Sequence, residues 1–482
     1  MMNSTVNNIF QQVLEKIKPS EEDRLKLYKT YEYVKNKLSE CLRNILWEKL
    51  ADISLQGSVA KDTFLRGQSD IDVFLLFKPH VDIISSEWFE NELIPLLLKC
   101  FSDYKCVLNY ASHPYITVYI NNIEVNIVPA FKVESPEKII SAVDRTPFHT
   151  EYVKTHLNEK QKDEVRLLKK FLRTWNIYGA EIEVQGFSGY LAELLIIAYG
   201  NLYNLLKNAL SWRAFKTCID IEGYYKSSKE CLNNFKGSVL VVVDPVDPKR
   251  NAAAALSLKN FSLFKLLAKT FLEKPSVEFF LNEYEEKIDF EIVKKYIDYR
   301  LHNYDSCLYV LMFNVIKPIP DIIWGQLNRL KSSIVNTLKS QNLINDPYAD
   351  VWVSQNFDKA ALVLEVMHCS NIYKIHKGPY AFDTTNALLF MTKNRNSDIG
   401  PWIGDDGRLY VIKRLNPGTI TKSATEVIKV TSLSGLKFEN VIVVSSLKDL
   451  QCLENNYYYN DFIAWISKFL ERKPLKKLLN LI

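Results

Sequence analysis

The sequence lacks the features that mark secreted, metal-stapled or membrane-spanning chains. Residues 1–8 contain no basic segment followed by an apolar core, so we expect no signal peptide. The apolar run at residues 194–199 is far too short to span a bilayer. The eight cysteines include no Cys-x-x-Cys pair, and only Cys100 and Cys106 lie close together, so neither a zinc site nor a disulfide framework is expected. A reducing cytoplasm is the expected location, with no membrane partner.

The sequence also lacks a strong excess of charge, internal repeats and low-complexity segments. Its 61 Lys and Arg residues against 56 Asp and Glu residues give a formal charge of +5, so the chain is not a polycation. A nucleic-acid partner would therefore need a local basic surface. With 482 residues, the chain is long enough for about two to four domains with sizeable cores.

The most informative stretch is residues 55–77, LQGSVAKDTFLRGQSDIDVFLLF. Residues 51–56 predict a short strand, Gly57-Ser58 a turn into a helical stretch, and residues 70–77 a second, interior strand. Because side chains alternate along a strand, Asp70 and Asp72 share one face, while the opposite face is wholly apolar. Two carboxylates at the end of a buried strand are costly unless a cation neutralises them, which predicts Mg²⁺.

The turn before this strand favours an anion. A glycine at a strand-to-helix turn lets the backbone approach a phosphate, and the Ser58 hydroxyl and the N–H groups of the helix start would bind it. Polyphosphate on Gly57-Ser58 beside a metal on Asp70 and Asp72 is the layout for nucleotidyl transfer. The alternative is a solvated acidic strand end after an ordinary turn.

Two helices are predicted from their caps. Ser20 with Asp23 forms a capping box, and Ser188 caps a helix that is apolar almost all round through residue 199. Glu193 within that second helix is expected to pair with a buried cation.

The stretch resembles the Gly-Ser…Asp-x-Asp signature of the polymerase-β-like nucleotidyltransferases. Its longer form, Gly-Ser-x-Ala-Lys-x-Thr-Phe-Leu-Arg-Gly, is similar specifically to the archaeal-type (class I) CCA-adding enzymes. The resemblance implies an α/β (α+β) fold with a nucleotidyltransferase head of mixed sheet and helices (residues 1–145), a helical neck (146–260), and a mixed α/β body and tail that bind tRNA (261–482). The implied reaction adds CCA to the 3′ end of tRNA from CTP and ATP, with Mg²⁺ and release of pyrophosphate. Relatives commonly dimerise, so a homodimer is a candidate assembly.

The resemblance also assigns residues. SAVDRTPFH at residues 141–149 and VDPVDPKRN at residues 243–251 resemble family segments. By this likeness the nucleotide-binding residues are Gly57, Ser58, Lys61, Thr146, His149, Lys169, Tyr178 and Arg250. Relatives usually carry arginine where Lys61 stands, so this triphosphate contact becomes a single-point one. Arg250 occupies the place of an arginine that helps to read the base, and a salt bridge with Asp244 or Asp247 is its alternative.

One position departs from the family. Residues 116–120 and 123–128 predict two strands joined at Asn121-Asn122, a pair suited to a tight hairpin. The second strand reads IEVNIVP where relatives have a pattern like Val-Glu-Val-Asp-Val-Val-Pro, so Asn126 stands at the third metal-binding aspartate. An amide oxygen can ligate Mg²⁺, but it carries no charge and takes up no proton. Glu124 lies on the same face as a candidate substitute, or it is a solvent-facing edge residue.

Asn126 leaves several hypotheses. The chain is a working CCA-adding enzyme with a reduced or rebuilt metal site, or it carries an engineered Asp→Asn substitution, or it is a weakened or catalytically silent relative that binds tRNA or nucleotide. Transfer to a small molecule or to a protein is a further alternative, which the long chain beyond the pocket disfavours.

Overall fold

The structure, a computed structural model, describes the chain apart from residues 1–3, 44–47, 69, 80–85, 111–112, 282–289, 342, 345–347, 368–372, 415, 473–477, 480 and 482. It divides the chain into two compact units, residues 1–285 with 477–482 and residues 286–476. The predicted division at residues 145 and 260 stays a prediction. Within the described part, no helix is both long and apolar enough to cross a membrane.

Runs of helices and runs of strands follow one another along the chain, which gives a mixed α/β fold. The helices are α1 (Ser4–Ile17), α2 (Glu21–Leu42), α3 (Gly57–Ala60), α4 (Ser86–Trp88), α5 (Ile94–Cys100), α6 (Thr146–His156), α7 (Glu159–Thr174), α8 (Gly189–Tyr199), α9 (Leu202–Ala209), α10 (Ser228–Asn234), α11 (Leu258–Glu273), α12 (Phe290–Asn303), α13 (Pro320–Ser340), α14 (Thr384–Lys393), α15 (Pro417–Val430) and α16 (Tyr459–Glu471). The strands are β1 (Leu50–Gln56), β2 (Ile71–Phe77), β3 (Lys105–Tyr110), β4 (Pro114–Ile120), β5 (Ile123–Phe131), β6 (Cys218–Ile219), β7 (Val241–Asp244), β8 (Asp247–Asn251), β9 (Ser306–Val315), β10 (Tyr348–Val353), β11 (Lys359–Met367), β12 (Tyr373–Tyr380), β13 (Ile399–Ile403), β14 (Arg408–Arg414) and β15 (Leu436–Val444).

The first unit contains a five-stranded sheet in the order β1-β2-β5-β4-β3. Strand β2 lies inside it, antiparallel to β1 and parallel to β5, as predicted for an interior strand. Its apolar face packs with α2 and α5 in one core, whose β2 members are Ile71, Val73, Leu75 and Phe77. The opposite face carries the aspartates. The Asn121-Asn122 hairpin is confirmed, since both residues have positive φ (50° and 63°) between β4 and β5.

The rest of the first unit is mainly helical. Helices α1, α7, α8, α9 and α11 share a second core. The predicted caps are confirmed: Ser20 forms a capping box with Asp23 at the start of α2, and the Ser188 side chain accepts from the Leu191 amide at the start of α8. A small sheet, in the order β6-β7-β8, lies in this part of the chain.

The second unit is built on a four-stranded antiparallel sheet in the order β10-β11-β9-β15. Helices α13 and α15 pack on one face of the sheet, and α12 and α16 pack on the other. A separate three-stranded sheet has the order β12-β14-β13.

The expectation of no disulfides was wrong. The structure pairs Cys41 with Cys100 and Cys218 with Cys231 as disulfides. The first bond joins α2 to the end of α5, two helices that pack on the same face of the sheet, so tertiary packing brings together cysteines that are 59 positions apart. Sequence spacing alone gave no signal for this pair, because no short motif marks it.

Candidate active site

The loop after β1 carries the first of the predicted site residues. Gly57 has φ +70°, a left-handed conformation that side chains rarely adopt, and a Cβ atom added there would lie 1.9 Å from Oδ2 of Asp72. Gln56, the last residue of β1, pairs in register with Asp72 of β2, which places the loop directly beside the aspartates. Ser58 lies in α3, and its carbonyl accepts from the Thr63 amide at 3.0 Å. Because the backbone at position 57 approaches Asp72 so closely, this position requires glycine.

Two carboxylates and one amide meet at the end of β2. Asp72 pairs in register with Asn126 of the parallel strand β5. The Nδ2 group of Asn126 donates to Asp70 Oδ2 at 3.0 Å and to Asp72 Oδ1 at 3.1 Å. Burial, followed by the charge of Asp70, raises the pKa of Asp72 to about 6, although the hydrogen bond from Asn126 opposes the shift. Asn126 therefore acts here as a hydrogen-bond donor to both carboxylates.

This donor set fits one divalent cation. Two neighbouring carboxylates, one of them desolvated, repel each other, and a cation between them would relieve that repulsion. In the described part of the chain, no group of three or more His, Cys, Asp or Glu side chains is arranged to hold a metal. Glu124, the candidate substitute, is exposed on β5 and pairs in register with Tyr119 of β4. Burial raises the pKa of Tyr119, and the charge of Glu124 adds to this shift.

Lys61, Lys169 and Glu193 form a buried ionic cluster. Glu193 is fully buried, and its Oε2 accepts from Lys61 Nζ at 2.6 Å, while its Oε1 accepts from Lys169 Nζ at 3.3 Å and from Thr63 Oγ1 at 2.6 Å. Burial lowers the pKa of Lys169, and Glu193 opposes this shift. The expected pairing of Glu193 with a buried cation is confirmed, and it involves two lysines. The Glu193 carboxylate thus anchors both lysine side chains beside the loop.

Asp244, at the end of β7, joins three of the site's polar side chains. Its Oδ2 accepts from Arg250 Nη1 at 2.7 Å and lies 2.9 Å from His149 Nε2, and its Oδ1 accepts from the Tyr190 hydroxyl at 2.9 Å. The His149 ring stacks on Tyr190 with 4.0 Å between centroids. Burial raises the pKa of Asp244, but His149, the Val246 amide and Arg250 together lower it to about 2. Burial lowers the pKa of His149. The salt bridge between Arg250 and Asp244 is therefore present.

A cavity of about 710 Å³ adjoins this cluster. Arg145, Lys249 and Arg250 place positive charge in its lining, and Arg145 also pairs with Asp247 at 2.9 Å. Ser188, the cap of α8, lies in the same wall. The cavity combines positive charge with a helix N-terminus, which suits an anionic ligand.

Tyr178 and Thr146 lie at two helix starts. The guanidinium of Arg173 lies over the Tyr178 ring, 4.6 Å from its centroid. A Cβ added to Gly189 would lie 2.8 Å from the Tyr178 hydroxyl and 3.8 Å from Lys169 Nζ, so both groups approach the N-terminus of α8. Thr146 is the first residue of α6, the helix that carries His149.

Comparison with known proteins decides the family. Three family models match in order: a nucleotidyltransferase domain at residues 34–149, the second domain of tRNA nucleotidyltransferase at 163–281, and the C-terminal domain of CCA-adding enzyme at 305–434. A CCA-adding enzyme of Saccharolobus islandicus (strain M.14.25 / Kamchatka #1) is 39% identical over 409 residues, covering 84% of this chain and 88% of the relative. The CCA-adding enzyme of Sulfolobus acidocaldarius is 38% identical over 417 residues, with coverages of 86% and 90%.

The chain belongs to the CCA-adding enzyme family. It is a tRNA nucleotidyltransferase by these matches, as the sequence motifs predicted. Solved structures give only a distant likeness. The Cid1 poly(U) polymerase bound to MgATP (an H336N mutant) has 14% identity and a TM-score of 0.44, covering 60% of this chain and 98% of that one. Escherichia coli MS115-1 CdnC with ATP has 19% identity and a TM-score of 0.42, with coverages of 56% and 94%.

Within this member of the CCA-adding enzyme family, nine of the predicted site residues fall into three groups. Gly57 and Ser58 lie beside Asp70, Asp72 and Asn126, whereas Lys61 and Lys169 meet at Glu193, and His149 and Arg250 meet at Asp244. Their roles stay predictions.

Sequence reasoning missed several residues of the site, among them Tyr190, Thr117 and Asn109. Tyr190 and Thr117 each donate to a site residue, Asp244 and Asn126 respectively, and Asn109 donates to Thr117. Thr117 and Asn109 lie on β4 and β3, where ordinary strand residues give no functional signal. Only the order of the strands in the sheet places them near Asn126.

Proposed function

We propose that this chain adds CCA to the 3′ end of tRNA, using CTP and ATP and releasing pyrophosphate. The observation that carries the proposal is the meeting of a glycine loop with an aspartate pair at one end of a sheet, in a chain that matches CCA-adding enzymes over most of its length. In the reaction, a bond forms between the 3′-oxygen of tRNA and the α-phosphorus. The bond between the α-phosphorus and pyrophosphate breaks, and the hydroxyl proton is released to solvent.

The triphosphate contacts fall to the residues around the loop. Ser58 and the backbone after Gly57 bind the phosphates, and Lys61 and Lys169 supply positive charge from the floor of the site. Both lysines are held by Glu193 at 2.6 and 3.3 Å, so their ammonium groups are already oriented and need little reorganisation to meet an anion. Thr146, His149 and Tyr178 complete this binding surface.

Asp70 and Asp72 would hold Mg²⁺, which fits the donor set described above. When bound, Mg²⁺ supplies charge neutralisation for the triphosphate and for the attacking oxygen. Arg250 approaches the base. Its guanidinium is fixed by Asp244 at 2.7 Å and still has 38% of its side chain exposed, which leaves donors free for a base edge.

The alternative is a weakened or silent relative that binds tRNA or nucleotide. The geometry of Asn126 gives this alternative more support than the sequence alone gives it. The Asn126 amide presents N–H groups to the two aspartates, in the place where a third carboxylate would ligate a cation.

The deciding experiment is incorporation of labelled CTP and ATP into a tRNA that lacks its CCA end, with Mg²⁺ and separately with Mn²⁺. We expect template-free addition that stops after CCA, and none in the Asp72→Asn control. Glu124→Gln should abolish addition with CTP affinity nearly intact if Glu124 replaces the missing carboxylate. Tight tRNA binding without any incorporation under either metal would overturn the proposal in favour of the silent binder. Light scattering on the same sample tests the homodimer that the family likeness implies.

A further inference from the structure

A continuous series of hydrogen bonds, here called the relay, runs across the sheet from Asn109 through Thr117 and Asn126 to the two aspartates. Asn109 Nδ2 on β3 donates to Thr117 Oγ1 on β4 at 2.8 Å, and Thr117 Oγ1 donates to Asn126 Oδ1 on β5 at 2.7 Å. Asn126 Nδ2 then donates to Asp70 and Asp72. Strands β3, β4, β5 and β2 are consecutive neighbours in the sheet, and the relay crosses them in that order.

The chemistry of each group determines which atom donates and which accepts at every step of the relay. Ionised carboxylates only accept hydrogen bonds, so the Asn126 amide must turn its N–H groups toward Asp70 and Asp72. Its oxygen then faces β4, where it needs a donor. Thr117 is 5% exposed, and because its hydroxyl already accepts from Asn109, the hydroxyl proton is available for Asn126. The donors and acceptors match at every step.

We propose that Thr117 and Asn109 are positioning residues that hold the Asn126 amide as a hydrogen-bond donor to the aspartates, so that the site takes one divalent cation on Asp70 and Asp72 and excludes Asn126 as a ligand. The proposal rests on the metal dependence in the proposed function and adds the number of ions and the role of position 126.

The relay opposes ligation of a cation by Asn126, because the Asn126 amide would have to flip and exchange the positions of Oδ1 and Nδ2. Its Oδ1 would then face the cation, and its Nδ2 would face Thr117 Oγ1. The hydroxyl can accept from two donors, but its own proton would lose its buried acceptor. Asn126 thus stands where an aspartate would bring negative charge, and it supplies N–H groups that stabilise the carboxylate pair without a second ion.

The test uses Mn²⁺ as the probe, counted by electron paramagnetic resonance of the free ion. Wild type should bind one Mn²⁺ per chain in the presence of a non-hydrolysable CTP analogue, and Asn126→Asp should bind two. Without nucleotide, Thr117→Val frees the amide to turn, so Mn²⁺ affinity should rise about tenfold. Thr117→Ser keeps the hydroxyl and should match wild type. Melting of each variant in EDTA confirms that it is folded.

Two bound Mn²⁺ in wild type, or a Thr117→Val variant with wild-type Mn²⁺ affinity or weaker, would overturn the proposal. The Mn²⁺ count is independent of CCA addition. One bound ion with no incorporation would therefore reject the proposed function and keep the relay, whereas two bound ions in an active enzyme would reject the relay alone.

Discussion

Removing the negative charge of Asp244 should lower the local stability of the polar cluster around β7. Its carboxylate is fully buried and receives hydrogen bonds from Arg250, His149, Tyr190 and the Val246 amide. In Asp244→Asn, the amide oxygen can still serve Tyr190 and Val246 at the Oδ1 position. The amide nitrogen at the Oδ2 position then meets the guanidinium of Arg250, so two donors face each other. The variant therefore removes one charge-assisted hydrogen bond and weakens the contact with His149.

The magnitude follows from the exposure of the partners. Breaking a fully buried ion pair costs about 3–5 kcal/mol. Arg250 has 38% of its side chain exposed and can turn to water, so the smaller value for a lost charge-assisted hydrogen bond, about 2 kcal/mol, applies. A loss of about 2 kcal/mol corresponds to about 30-fold faster exchange of amide hydrogens that open with this strand.

Hydrogen exchange of β7 by mass spectrometry reads this local loss directly. Two-state unfolding cannot be assumed for a chain of two units, which makes a local measurement preferable. The matched control is Asp247→Asn in the same segment, whose carboxylate pairs with Arg145 and is 18% exposed. The control should accelerate exchange by at most about fivefold. The KM for CTP should rise in Asp244→Asn because Arg250 loses its anchor. Equal exchange in the two variants would refute the assignment of Asp244 as the central acceptor.

Three further predictions concern other parts of the first unit. Burial lowers the pKa of His149 below 6.5, so its neutral form is favoured in the folded state. The free energy of unfolding should therefore fall as pH drops through 6.5 toward the pKa of the folded state. Histidine NMR titration checks the pKa shift, and His149→Gln should reduce this loss of stability at low pH. Gly57→Ala should weaken Mn²⁺ binding by about tenfold or more because its Cβ would strike the adjacent carboxylate, while Gly67→Ala, at φ +68° with no described atom within 4 Å, should not. Reducing the Cys41–Cys100 bond, which closes a loop between residues 59 positions apart, should lower the free energy of unfolding by about 4 kcal/mol. Melting in reductant measures this loss, and thiol counting by mass spectrometry confirms that the bond is reduced.

Features encoded by contiguous residues could be read from the sequence. The alternation of Asp70 and Asp72 with an apolar opposite face predicted an interior strand with the carboxylates together, and the structure has both. The Asn121-Asn122 turn and the cap at Ser188 depend largely on local backbone preferences, which is why both were predicted at the right residues. The strands on either side of the turn extend further than predicted, since β4 begins two residues earlier and β5 ends three residues later. The order of family motifs predicted the CCA-adding enzyme family that the comparisons confirm.

Which side chains meet was decided by packing between distant segments. The sequence identified Asn126 as an unusual residue, but the direction of its amide depends on Thr117 of β4, whose place beside β5 is set by sheet order. Glu193 was expected to have one cation, and it has two because α7 and the loop after α3 converge on α8. Hydrogen-bond direction and charge pairing depend on groups a few ångströms apart in space that lie tens of residues apart in the chain. Local periodicity carries no record of such neighbours, so only the tertiary structure determines them.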